Sequence, residues 1–251
     1  MYHFFVEPSQ IQGNRIVITG GDVNHIRNVL RMKIGEEIAV SNGVDGKEYR
    51  CGIDTFAEDE VICTLRFIKE EGVELPSKIF LFQGLPKADK MELIMQKAVE
   101  LGVFEIVPVS TGRSVVKLDE KKARAKTARW QGIVEAAAKQ SRRGVIPRVA
   151  EVMSMKEAIA YAGSMDVRLI PYELAQDMTK TKKIISGIRQ GESVAVFIGP
   201  EGGFEEKEIA VAVEGGFLPI TLGKRILRTE TAGLTVLAWL MYHFEQGEEI
   251  L

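Results

Sequence analysis

The apolar residues of this chain change rhythm at Lys78, after a first segment that runs to about residue 72. Before that point they fall in short, β-branched runs: Arg15-Ile16-Val17-Ile18-Thr19, Glu37-Ile38-Ala39-Val40-Ser41, Tyr49-Arg50-Cys51-Gly52-Ile53 and Val61-Ile62-Cys63-Thr64-Leu65. Turn formers separate them, with Asn42-Gly43 and Asp45-Gly46 placed where hairpin turns need residues of positive φ. One helix interrupts the strands, from about Asp22 to Leu30, with Asp22 as its N-cap. Several short strands and a single helix predict a small barrel over residues 1–72. Glu70-Glu71-Gly72-Val73-Glu74-Leu75-Pro76, charged and closed by proline, reads as a linker.

From Lys78 the period alternates between strand and helix. Lys78-Ile79-Phe80-Leu81-Phe82-Gln83, Phe104-Glu105-Ile106-Val107-Pro108-Val109, Asp166-Val167-Arg168-Leu169-Ile170, Ser193 to Ile198 and Phe217 to Leu222 read as strands. The fourth is apolar almost throughout, as a strand covered on both faces should be. Asp89 to Gly102 reads as a helix, apolar at Met91, Ile94, Ala98 and Leu101, with Gly102 as its C-cap. A long basic helix runs from about Asp119 to Gln140. Glu205 to Val213 is a short helix with an acidic first turn, where the helix dipole favours it. Ala232 to Phe244 is the last, apolar at Leu234, Leu237, Leu240, Met241 and Phe244. The alternation predicts an α/β domain with a mostly parallel sheet over residues 73–251.

Composition narrows the function classes. The 251 residues are 45% hydrophobic and 27% charged, as in a soluble globular protein, and no apolar run is long enough to span a bilayer. Met1-Tyr2-His3-Phe4-Phe5 has no basic leader, so no signal peptide is expected. The only cysteines, Cys51 and Cys63, lack CxxC or Cys/His neighbours, which argues against zinc or a disulfide framework and for a reducing, cytoplasmic setting. Three separated histidines give no basis for a metal site or a Ser-His-Asp triad. The net charge of −2 hides a basic stretch: Arg113, Lys117, Lys121, Lys122, Arg124, Lys126, Arg129, Lys139, Arg142, Arg143 and Arg148 face only Asp119, Glu120 and Glu135. Two readings stand, a polyanionic partner or a solvated helix face.

Two loops carry the candidate chemistry. Ile198-Gly199-Pro200-Glu201-Gly202-Gly203-Phe204 follows an apolar strand but is neither GxxxxGK[ST] nor GxGxxG, so a nucleoside triphosphate or Rossmann dinucleotide site is not indicated. Its glycines allow positive φ and close backbone approach, to a ligand or merely within a tight turn. Leu222-Gly223-Lys224-Arg225-Ile226-Leu227-Arg228-Thr229-Glu230-Thr231-Ala232 ends the last strand and opens the last helix. There apolar Ile226 and Leu227 lie in a loop beside Arg228. Two such loops at one edge of a parallel sheet can form a backbone-lined slot suited to a planar purine.

These two loops resemble the signature loops of the RsmE family, and the resemblance extends along almost the whole chain. Lys97-Ala98-Val99-Glu100-Leu101-Gly102-Val103 resembles the family's Lys-x-x-Glu-Leu-Gly-Val, and Ser110-Thr111-Gly112-Arg113-Ser114 its following loop. Glu135-Ala136-Ala137-Ala138-Lys139-Gln140-Ser141-Arg142-Arg143 resembles Glu-Ala-x-x-Gln-x-x-Arg. His25-Ile26-Arg27-Asn28-Val29-Leu30-Arg31 with Gly35-Glu36 is similar to the entry of a PUA-like RNA-binding domain. One departure is Tyr2-His3, where many members carry arginine, so an arginine contact to RNA there does not carry over.

The resemblance implies a SPOUT-type parallel sheet with a trefoil knot behind an N-terminal PUA-like small β-barrel. It implies S-adenosylmethionine as cofactor and N3 of a uridine in small-subunit ribosomal RNA as acceptor. The cofactor slot would use Pro171, Ile198, Gly199, Pro200, Glu201, Gly202, Gly203, Leu222, Gly223, Ile226, Leu227, Thr231 and Ala232. Arg228 and then Arg113 are the candidates for stabilising charge on the uracil, with phosphate contacts as the competing role. RNA would be held by His25, Arg27, Arg31, Arg113, Lys139, Arg142, Arg143 and Arg228. Glu230 and Thr231 suit helix capping as well as catalysis, and Glu201 and Glu100 are weak candidates for a base. The apolar stripe of the last helix fits either a homodimer or the monomer core. A related SPOUT methyltransferase acting on ribose or another base, and a non-catalytic ribosome-assembly factor, are the alternatives.

Overall fold

The computed structural model describes residues 1–70, 72–173, 175 and 177–245. Glu71 of the expected linker lies outside the described residues, as do Leu174 and Gln176 among the neighbours of Pro171. The chain forms two compact units, Met1–Glu74 with Ala138–Ile146, and Leu75–Ala137 with Pro147–Leu251.

The first unit is built on β1 (His3–Phe5), β2 (Ile11–Gln12), β3 (Arg15–Thr19), β4 (Glu37–Ser41), β5 (Glu48–Phe56) and β6 (Glu60–Lys69). They form one sheet in the order β1-β4-β5-β6-β3-β2, antiparallel except for the β1–β4 pair. Strand alternation does the sorting: in β3, Ile16 and Ile18 go inward while Arg15 and Thr19 stay out. Phe4, Ile38, Val40, Cys51, Ile53, Val61 and Cys63 complete that core. The turn glycines Gly43 and Gly46, φ +73° and +71°, share one loop between β4 and β5 rather than closing two hairpins. Asn42 Oδ1 organises that loop by accepting from the backbone N–H groups of Val44 and Asp45 at 3.0 and 3.1 Å.

The helix expected from about Asp22 to Leu30 is present, but its N-cap is corrected. Helix α1 spans Gly21–Asn24 and continues as a π-helical turn over His25–Val29. Its N-cap is Gly20, at φ +71°, and no side chain caps it. The Asp22 carboxylate instead accepts from Lys139 Nζ at 2.9 Å. The linker reading also changes. Glu74 accepts from Arg143 Nε at 3.1 Å and from the N–H groups of Gly144 and Val145 at 3.1 and 3.2 Å. Gly144 is needed there, because a Cβ would lie 2.6 Å from the Gly46 carbonyl oxygen.

In the second unit β7 (Ile79–Gly84), α2 (Lys90–Glu100), β8 (Glu105–Ser110) and α3 (Glu120–Gln140) follow in order; the last turn of α3, from Ala138, belongs to the first unit. Then come β9 (Arg148–Val149), β10 (Met153–Ser154), α4 (Met155–Ala162), β11 (Val167–Pro171), α5 (Met178–Ser186), β12 (Val194–Ile198), α6 (Glu206–Glu214), β13 (Leu218–Ile220) and α7 (Thr229–Phe244). Helices α4 and α5 were not read from the sequence. Their signals are the Ser154–Glu157 capping box and the Asp177 cap, whose side chain accepts from the Lys180 N–H. All strand pairs are parallel, in the order β10-β8-β7-β12-β11-β13. Beside β8 the partner strand is broken into β9 and β10, and the break falls at Val107-Pro108, where proline has no N–H to give.

The central strands β7 and β12 are buried at every position, so both faces need cover. One face, with Phe82 stacked on Phe197 at 4.3 Å, packs with Ala158, Ala162, Ile209 and Ala212 from α4 and α6. On the other, α7 lies on β7 and β12, and α2 on α7. Each fully buried Ile or Phe contributes about 1.5–3 kcal/mol. Because all these strands run the same way, Gly84, Ser110, Ser154, Pro171, Ile198 and Ile220 end at one edge.

Candidate active site

At that edge the two glycine-bearing loops are tied together from beneath. Gln83, fully buried at the end of apolar β7, donates from Nε2 to Thr229 Oγ1 at 2.9 Å and to the Gly84 carbonyl at 3.0 Å. Thr229 in turn donates to the Gly199 carbonyl at 2.6 Å. This chain runs from β7 through the first turn of α7 to the loop after β12. Helix α7 begins at Thr229, with Arg228 at the N-cap position and no side-chain cap, so the hydroxyl expected to cap it, that of Thr231, is exposed within the first turn instead. Neither Gln83 nor Thr229 was singled out from the sequence. The available signal was a glutamine in an otherwise apolar strand.

Close approach fixes the glycines. A Cβ on Gly84 would lie 2.7 Å from both Cδ and N of Pro200, and one on Gly199 would lie 3.0 Å from Cα and C of Gly203. Gly203 (φ +67°) and Gly223 (φ +105°) adopt the left-handed backbone that glycine tolerates. Above Gly203 there is open space, since a Cβ there would meet nothing within 4 Å. On the second loop Gly223 N–H donates to Thr221 Oγ1 at 3.2 Å, and Ile226 stands 93% exposed beside half-buried Leu227. The third strand end joins them through Tyr172 N–H, which donates to the Ile220 carbonyl at 3.0 Å. Pro171, Ile198, Gly199, Leu222, Gly223 and Ile226 therefore occupy neighbouring strand ends and loops. Thr231 is exposed on α7 with Ala232 half-buried next to it.

The charged candidates divide. Arg113, in the loop after β8, donates to the Gly202 carbonyl at 2.9 Å, which brings it to the first loop. That loop is held by Glu208, which accepts from the Gly112 N–H at 2.8 Å. Arg228 is exposed at the N-cap position of α7. Glu201 is engaged: it accepts from the Lys87 N–H at 3.1 Å and from Lys90 Nζ at 2.8 Å. Burial raises its pKa, but Lys90 and the backbone donors outweigh that and hold the carboxyl below the usual glutamate range. A carboxylate so held is a poor base. Glu100 is paired with Lys97 at 2.8 Å, at the far end of α2, about 15 Å along the helix axis from Lys90.

Of the residues expected to hold RNA, His25, Arg31, Arg113, Arg142 and Arg228 are exposed. Arg142 and Arg31 have φ of +59° and +53°. Arg143 is corrected to a structural role: it is 4% exposed and its guanidinium holds Glu74, leaving no open donor face for a phosphate. Arg27 donates to the backbone carbonyls of Ala57 and Glu58 and lies over the Phe56 ring, so it braces its own unit. Lys139 is paired with Asp22. Burial, as the largest effect, lowers the pKa of His3, so its imidazole does not replace an arginine's fixed charge. Along α3, Lys122, Arg124 and Arg129 pair with Asp119, Glu120 and Glu92. Such exposed pairs are weak and exchange readily for phosphates. A hollow of about 550 Å³ also opens at Ser110, Arg124, Glu151 and Ser154, but it shares no residue with the two loops, and Glu120 and Glu151 give it an acidic wall.

The chain matches two family models. One, an RNA methyltransferase domain, covers residues 73–241, and the other, an RNA methyltransferase PUA domain, covers residues 18–55. The class defined is thus an RNA methyltransferase with a PUA domain before its α/β domain. The ribosomal RNA small subunit methyltransferase E of Bacillus subtilis is 38% identical over 98% of each chain. The crystal structure of that enzyme from Neisseria gonorrhoeae, bound to S-adenosyl methionine, is 32% identical with a TM-score of 0.83, over 96% of this chain and 97% of that one. A methyltransferase from Legionella pneumophila solved with bound SAM is 33% identical with a TM-score of 0.81, over 96% of both chains. The chain belongs to the ribosomal RNA small subunit methyltransferase E family.

Proposed function

We propose that this protein methylates N3 of one uridine in small-subunit ribosomal RNA, with S-adenosylmethionine bound at the edge of the parallel sheet. The observation that carries the reading is the Gln83–Thr229–Gly199 chain, which joins the two loops into one site below open space. The residues fit the cofactor. Gly203 leaves room for close approach, and exposed Ile226 with Leu227 supplies an apolar wall for a planar ring. Pro171, Gly199 to Gly203, Leu222, Gly223, Thr231 and Ala232 would line the rest. S-adenosylmethionine supplies the methyl group, carried on a sulfonium.

The remaining work falls to this chain. Uracil N3–H is a weak acid, so negative charge spreads onto O2 and O4 as its proton leaves. Arg228, at the start of α7, would offset that charge, and Arg113 would do so from the other side of the first loop. The rigid loop pair would hold the acceptor nitrogen in line with the methyl group. His25, Arg31 and Arg142 would bind phosphates, with the target base splayed from its stack. Leu237, Leu240 and Phe244 of the apolar stripe are buried in the monomer core, so a homodimer would instead use the outer face of α7, where Tyr242 is 70% exposed. Threading of the last loops into a trefoil knot belongs to the same proposal and is supported by β12 lying between β7 and β11. A cytoplasmic site of action belongs to the same proposal; among the described residues no helix is long and apolar enough to cross a membrane.

The test is methyl transfer from radiolabelled S-adenosylmethionine to small ribosomal subunits lacking their native methylation. Label recovered as N3-methyluridine supports the reading. Label on a ribose or another base moves the acceptor elsewhere, and absence of cofactor binding leaves the assembly-factor alternative.

A further inference from the structure

The turn between β7 and α2 is built against local preference. Ala88 sits at φ +54°, where a β-carbon is disfavoured, and Lys90 occupies the first turn of α2, where the helix dipole disfavours a cation. Both oddities have the same consequence. They aim the Lys87 N–H and the Lys90 ammonium at the Glu201 carboxylate of the first loop, at 3.1 and 2.8 Å. Lys90 Nζ also lies 3.6 Å from Glu230 Oε2, in the first turn of α7. That oxygen is buried with no hydrogen-bond partner, so the ammonium is the charge that balances it. The side chains of Lys90, Glu201 and Glu230 are 27%, 28% and 17% exposed, shielded more than an ordinary surface pair.

We propose that Lys90 is a positioning residue for the methyl-transfer site. It clamps Glu201 of the first loop to Glu230 at the end of the second, and so sets the width of the cofactor slot. The buried chain through Thr229 fixes the loops at their base, and the Lys90 clamp fixes them at the rim. The inference rests on the loops being the cofactor slot.

Calorimetric titration of S-adenosylmethionine into the full chain tests it, with melting curves and steady-state kinetics alongside. Lys90→Met should weaken binding about tenfold and raise KM for the cofactor equally, with kcat within about threefold, and should lower the melting temperature because it leaves the Glu230 carboxylate unbalanced. Lys90→Arg keeps the charge and should restore most of the affinity. Glu201→Gln should also weaken binding, and the Lys90→Met/Glu201→Gln pair should be no worse than Lys90→Met alone, because both break one contact. A helix-capping role alone would lower melting temperature without this split, and that result would overturn the clamp. So would additive losses, or Lys90→Met binding like wild type. If Lys90→Met does not fold, Lys90→Arg against Glu201→Gln gives the same decision. Failure of the wild-type chain to bind would instead refute the slot itself, and the clamp's purpose with it.

Discussion

Placing a methyl group on Gly84 would drive it into the first loop, and the size of the effect follows from the distances. The new Cβ would sit 2.7 Å from Cδ and N of Pro200 and 3.1 Å from the Gly199 carbonyl carbon. Carbon contacts relax near 3.5–4.0 Å, so the two segments must part by about 0.8 Å. Nothing there can rotate away, since the obstacles are backbone and a proline ring. Strand β7 is paired on both sides, to β8 and β12, so the loop is what moves. Movement stretches the 2.6 Å bond from Thr229 to Gly199 and the 3.1 Å bond from the Lys87 N–H to Glu201. Overpacking of this kind costs about 1–3 kcal/mol. Gly84→Ala should therefore lower the melting temperature by about 4–8 °C for a loss near 2 kcal/mol. Cofactor affinity should fall at least about tenfold, or 1.4 kcal/mol. Gly132→Ala is the control: it lies exposed within α3, where a Cβ meets nothing within 4 Å, and should gain about 0.5–1 kcal/mol from helix propensity. Calorimetry and thermal melts on both variants decide it. Unchanged affinity and melting in Gly84→Ala would refute the close approach of loop and strand.

Arg228→Ala should keep cofactor affinity and lose more than about tenfold in single-turnover methyl transfer, above 1.4 kcal/mol; full activity would remove Arg228 from the mechanism. Arg142→Ala should weaken RNA binding and lower the salt slope by about one unit with stability unchanged, as a filter-binding salt series would read. Arg143→Ala should instead destabilise by about 3 kcal/mol in a denaturant melt, because it strands the Glu74 carboxylate. Cofactor affinity should also respond to acid with a definite sign. Glu201 has a depressed pKa in the folded protein, so its pairing with Lys90 is complete above the ordinary value near 4.5 and is lost as pH falls below it, through the folded value. Binding that stayed unchanged as pH fell from about 5 to about 3, in a chain still folded, would contradict that assignment of charges.

Much of the fold was legible because it rests on periodicity. The switch from two-residue alternation to strand–helix alternation at Lys78 follows from which side chains must be buried, whereas the first unit also takes Ala138–Ile146 from far beyond that switch, which no local period announces. The apolar run at Val194–Ile198 announced a strand covered on both faces, and β12 is one. Helices α4 and α5 escaped because their start signals, the Ser154–Glu157 capping box and the Asp177 cap, were not used, whereas the equally short α6 was read from its acidic first turn. The helix near Asp22 was legible but its cap was not, because glycine at positive φ starts it without a side-chain cap, while the carboxylate that suggested a cap serves Lys139.

The sequence by itself determined the candidate loops, their glycines and the chemistry that their resemblance implies, since these are properties of short contiguous stretches. Only tertiary structure decided how those stretches meet. Gln83 and Thr229 are 146 residues apart, and Lys90 and Glu201 are 111 apart, so no local pattern could pair them. Parallel strand order puts their ends at one edge, and buried hydrogen bonds then fix which side chains touch. The same holds for Arg143. In the sequence it is one more cation in a basic run, whereas in the fold burial beside Glu74 spends its charge within the protein. Exposure, which separates an arginine that binds RNA from one that braces a domain, depends on everything packed around it.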